Sequence, residues 1–90
     1  FLKMQNSEII KMGYVIQEFL KKEKLIDAKP KDLMPILIEK GFFNIDHREG
    51  LPLRKVLREL DDRDELYLLP QVRAERKDVN TFWFFNALEL

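Results

Sequence analysis

Leu66–Asn86, LYLLPQVRAERKDVNTFWFFN, is the stretch that decides the fold. Upstream of it apolar residues recur every third or fourth position; within it they alternate, which marks extended chain rather than helix. In LYLLPQVR, Leu66, Leu68 and Val72 alternate with Tyr67, Leu69, Gln71 and Arg73; in NTFWFFN, Phe82 and Phe84 alternate with Trp83 and Phe85. The polar RAERKDVN between them reads as a turn, so the two runs predict an antiparallel hairpin with a charged tip. Pro70 cannot donate to a ladder and predicts an edge or a bulge in the first strand. A lone hairpin is barely stable in water, so one aromatic face, assigned to Phe82 and Phe84, is expected to pack on helices. The other face, with Trp83 and Phe85 or Tyr67 and Leu69, is expected either to be hidden by the N-terminal helix or the termini, or to be available to a partner.

Three helices are predicted upstream. The first runs from Ser7, read as its N-cap, to about Lys24, with Ile9, Met12, Ile16, Phe19 and Leu20 on one arc. Ile10 and Tyr14 form an i, i+4 pair off that arc, expected to pack under a neighbouring segment. Leu25–Asp27 reads as a short extended piece, and Pro30 keeps Lys29 out of helical geometry. The second helix spans about Asp32 to Lys40, with Asp32 as cap, Pro35 in the first turn and Gly41 as the stop. Phe42, Phe43 and Ile45 of the following connection are expected in the core. The third helix starts near Pro52, and Leu53, Val56, Leu57 and Leu60 make its buried stripe. The predicted core is Ile9, Ile16, Phe19, Leu33, Leu37, Val56, Leu57, Leu60, Leu68, Phe82 and Phe84.

Ninety residues make one domain, residues 1–90, with 1–6 expected to fray. The chain opens on Phe1 rather than Met, so a fragment of a larger protein is expected. There is no cysteine, which excludes disulfides, thiolate chemistry and cysteine zinc sites and fits an intracellular location. No apolar run approaches the ~20 residues of a membrane span. Charged residues reach 36%, yet cations and anions balance to a net charge of zero. That balance argues against a strongly basic non-specific nucleic-acid binder and leaves room for a local basic patch.

The charges of the third helix are ordered against its dipole: Arg54, Lys55 and Arg58 come early, Glu59, Asp61, Asp62, Asp64 and Glu65 late. At about 100° per residue from Leu53, Arg54, Arg58 and Lys55 lie near 100°, 140° and 200°, opposite the buried stripe. Two explanations compete. The cations serve an anionic partner, or they pair with their own helix as Lys55–Glu59, Arg58–Asp61 and Arg58–Asp62, each worth ~0.2–0.5 kcal/mol at best.

Three helices followed by a two-stranded hairpin with a charged tip resemble the winged helix-turn-helix superfamily, and more loosely its HARE-HTH type. The likeness spans about residues 8–86 and rests on element order and hydrophobic pattern. It implies an α+β fold in which PLRKVLRELD is the recognition helix and RAERKD the wing. It implies binding of double-stranded DNA, helix three in the major groove, within a regulatory or DNA-processing protein. Arg54, Lys55 and Arg58 are then the groove-facing residues, with Arg48, Arg73, Arg76 and Lys77 holding phosphates. One departure is the long connection, Gly41–Gly50, where a compact helix-turn-helix uses about 3–4 residues.

The rival reading is a protein-interaction or dimerisation module working through the hairpin aromatics. An enzyme is not expected. The one histidine, His47, sits beside Asp46 in a loop with no cysteine or activated serine to accompany it. Asp61, Asp62 and Asp64 lack the glycine and spacing of a calcium loop, and neither metal nor cofactor is expected.

Overall fold

The computed structural model describes residues 4–89. Three helices, α1 (Asn6–Glu23), α2 (Pro30–Glu39) and α3 (Leu51–Asp62), precede a hairpin of β1 (Val72–Arg76) and β2 (Thr81–Phe85). The fold is α+β, in the layout of a winged helix. The first strand of that layout shrinks to one bridge a residue beyond the predicted piece: Ala28 exchanges both backbone hydrogen bonds with Phe85, at 2.9 and 2.7 Å. The chain then turns away, because Pro30 has no N–H for a ladder and starts α2 at a position that suits proline.

Each helix stops on the same device, a residue with left-handed φ whose successor bonds back to the last turn: Leu25 N–H to Leu20, Phe42 N–H to Leu37, Glu65 N–H to Leu60. The starts differ from expectation by a few residues. Gln5, not Ser7, caps α1, so residues 5 and 6 are cap and helix rather than frayed; residues 1–3 lie outside the described residues. Asp32 is not the cap of α2 but its third residue, where its carboxylate accepts the Lys29 N–H at 2.9 Å. Pro35 therefore stands inside α2, not in its first turn. Its missing N–H leaves the Lys31 carbonyl without that helical partner.

Leu66–Leu68, predicted as strand, is a 3-10 turn, and Leu69–Val72 closes a tight turn around Pro70 with a 3.0 Å hydrogen bond. LYLL carries two compatible periods, two and three. The period of three wins because it buries Leu69 completely, against the expectation that Leu69 faces outward. The ladder consequently starts at Val72, and RAER belongs to β1 rather than to the wing tip. The tip is Lys77–Asn80, closed by the Lys77 N–H to Asn80 carbonyl bond at 2.8 Å.

The core gathers Ile9, Met12, Ile16 and Leu20 of α1, Leu33, Met34 and Leu37 of α2, and Leu53, Leu57 and Leu60 of α3. Leu69, Trp83 and Phe85 complete it from the hairpin side. Phe19, Val56 and Leu68 pack against it half-buried, as do Phe42 and Phe43. Two expectations fail here. Ile45 is exposed, because the long connection carries it away from the helices. The faces of β2 are inverted: Phe85 is fully buried and Trp83 nearly so, whereas Phe82 is 47% exposed.

Candidate nucleic-acid interface

The starts of α2 and α3 are pressed together. A Cβ on Gly50, the residue before α3, would stand 2.7 Å from the Lys31 nitrogen and 2.9 Å from the Pro30 carbonyl carbon. Only a glycine lets the two backbones approach so closely, and its φ of +90° also suits no other residue type well. The loop before it is tied off by Asp46, whose carboxylate accepts the Gly50 N–H at 2.8 Å.

This packing opens a groove of about 760 Å³ between the two helix starts and β2. Lys29, Lys31, Arg54 and Arg58 line it, with Glu49 as the one acid, while Val79–Phe84 form the opposite wall. Both helices direct the positive ends of their dipoles toward this side, and α3 has no acid in its first turn. In α2 Lys29 and Lys31 likewise flank the N-terminal Pro30, while Asp32 in the same turn is favourably placed for the dipole. Cations and dipoles converge on one place.

The seven residues named from the sequence separate into three groups. Arg54 and Arg58 line the groove; Arg58 is exposed and forms no ion pair among the described residues. Arg54 donates to the Arg48 carbonyl, which holds its guanidinium near the loop. Lys55 is exposed and outside the groove lining, and Arg48 serves through its carbonyl from a strained left-handed backbone at φ 52°. The remaining three are engaged by carboxylates. Arg76 makes a two-pronged contact with Asp61 at 2.7 and 2.8 Å. Arg73 meets Glu75 at 3.2 Å and Asp27 at 3.3 Å and lies 4.9 Å over the Phe84 ring. Lys77 meets Glu75 at 3.0 Å.

These partnerships set the local proton affinities. Hydrogen bonding from Arg76, aided by its charge, holds the Asp61 carboxyl below the usual range. Glu75 is lowered by its bonds from Lys77 and then Arg73, and Asp27 first by the Asn86 amide and then by Arg73. Asp61 thus turns toward the hairpin rather than toward Arg58, and none of the late acids of α3 lines the groove.

The sign of the pH effect follows. A depressed folded value means that the Asp61–Arg76 contact stabilises the fold above the ordinary aspartate value of 3.8 and is lost as pH falls through and below it. Asp61→Asn is expected to flatten that part of the stability profile in urea titrations run from neutrality to well below 3.8. The contact is largely exposed, so the effect at neutrality is small. An unchanged acid limb would show that Asp61 is not held by Arg76.

Sequence reasoning missed Lys29, Lys31, Val79 and Phe82. The two lysines carried a usable signal, cations around an N-terminal proline. Their proximity to Arg54 depends on the Gly50 contact, which no local pattern announces. Among the described residues, no helix is long and apolar enough to cross a membrane and no cluster of three metal-ligating side chains forms. In comparisons with known proteins the chain matches no family model, no curated protein and no solved structure.

Proposed function

We propose that this domain is a winged-helix DNA-binding module that recognises double-stranded DNA with α3 and its adjoining groove, and that its role is recognition rather than catalysis. The observation that carries the reading is the convergence of Arg54 and Arg58 with Lys29 and Lys31 on one groove that holds a single acid. Four cations with few internal partners are what a phosphate backbone rewards. The hairpin contributes less than the resemblance implied, because Arg73, Arg76 and Lys77 are already met by Asp27, Glu75 and Asp61. With no net charge on the chain, binding by this domain is weak and salt-dependent.

Fluorescence anisotropy with a mixed-sequence duplex at two salt concentrations tests this. Arg54→Ala/Arg58→Ala is expected to lose affinity several-fold with its fold intact, and Asp61→Asn, which releases Arg76, to gain modestly at low salt. Binding that is absent, or equal in all three proteins, would remove the proposal.

A protein-interaction module is the second reading, favoured by the outward apolar residues of the hairpin: Val79 is 90% exposed and Phe82 47%. Of the four residues first expected on the outer face, Tyr67 is exposed at 69%, whereas Trp83, Phe85 and Leu69 are buried. Self-association that Phe82→Ser abolishes would favour it.

A further inference from the structure

We propose that the groove takes an extended, acidic segment of a partner polypeptide, which adds to β2 as a third strand. This goes beyond the DNA reading and stands without it.

The backbone of β2 supplies the reason. Asn80 and Asn86 bond toward β1, through the Lys77–Asn80 and Gln71–Asn86 contacts at 2.8 and 3.0 Å. Phe85 bonds the opposite way, to Ala28. Backbone groups alternate along a strand, so the N–H and C=O of Thr81 and Trp83 point to the Ala28 side with Phe85. There the first strand has already ended. Antiparallel pairing would bring Pro30 opposite Trp83, but Pro30 has turned into α2, and no backbone partner meets Thr81 or Trp83 on that side among the described residues. Both residues line the groove, Thr81 half-buried and Trp83 open over only 3% of its surface, so Thr81 is the more accessible of the two. The groove therefore occupies the place where the missing strand would have continued.

Two features select the guest. Thr81 and Trp83 offer donors and acceptors in alternation, which another polypeptide satisfies completely and a phosphate chain, having acceptors only, satisfies by half. Lys29, Lys31, Arg54 and Arg58 along the same groove then favour acidic side chains on that guest. A second copy of this chain is disfavoured, since pairing β2 with β2 would set Arg54 and Arg58 against their own counterparts. An acidic strand and a duplex would compete, because they use the same cations.

The test uses the isotope-labelled wild-type domain and an acetylated, amidated hexapeptide of alternating Glu and Val, added to millimolar concentration. Binding is expected to slow hydrogen exchange at the Thr81 and Trp83 amides. N-methylation of one alternate set of peptide amides should abolish binding, and methylation of the other set should leave it. A Lys–Val peptide should bind at least several-fold more weakly. Absent protection at Thr81 and Trp83, or equal binding by both methylated peptides, overturns strand addition. Protection of the same amides by self-association without peptide overturns the acidic partner in favour of a second copy. A duplex that binds while the peptide does not would overturn this inference and leave the DNA reading standing; the reverse result would do the opposite.

Discussion

Phe85→Ala is expected to destabilise the domain by about 3–5 kcal/mol, while Phe82→Ala, three positions earlier on the same strand, costs less than about 1 kcal/mol. Phe85 is fully buried among residues of the core and is held at both backbone hydrogen bonds by Ala28. Truncating it leaves a cavity whose walls belong to separate elements and cannot all collapse inward. Phe82 is 47% exposed, lies opposite Glu75 and leaves no enclosed void when shortened. A domain of this size has only about 5–15 kcal/mol of stability in total, so the first variant sits near unfolding and the second does not. Urea denaturation of both decides it. A larger loss from Phe82→Ala than from Phe85→Ala would mean that the faces of β2 are assigned the wrong way round.

The same pair of residues shows where the chain is legible. Helices α1 and α3 were readable because each has a polar side to contrast with its apolar one, and α2, apolar nearly all round, was readable from its polar ends and Gly41. Phe-Trp-Phe-Phe has no such contrast, so alternation gives a period without a direction. The missing direction was available across the hairpin. A two-residue loop, Asp78–Val79, sets Lys77 against Asn80 and hence Arg73 against Phe84 and Glu75 against Phe82. Cross-strand partners share a face, so the charges of β1 mark Phe82 and Phe84 as outward. Reading RAERKDVN as one long turn discarded that register. The candidate site was half legible. Arg54 and Arg58 announce themselves by standing opposite a leucine stripe, whereas Lys29 and Lys31 join them only through contact between two helix starts twenty residues apart in sequence.

Gly50 is the residue on which that contact turns, and Gly50→Ala should cost about 2–5 kcal/mol. The figure combines the strain of a non-glycine residue at φ +90°, about 1–3 kcal/mol, with about 1–2 kcal/mol or more for forcing a methyl into backbone. The obstruction cannot rotate away, since the atoms 2.7 and 2.9 Å from the new carbon are main chain at the start of α2. Gly41 supplies the control. Its φ of +86° is nearly the same, but a Cβ there meets nothing within 4 Å. Gly41→Ala should therefore show the conformational strain alone, and the difference between the variants isolates the close approach. The two should also part in function. Moving α3 off the start of α2 separates Arg54 and Arg58 from Lys29 and Lys31, so on the proposed DNA reading Gly50→Ala should weaken duplex binding at temperatures where it remains folded. Gly41→Ala, at the far end of α2, leaves binding unchanged. If both alanine variants lose the same stability and bind alike, the apposition of helix starts is not what builds the groove.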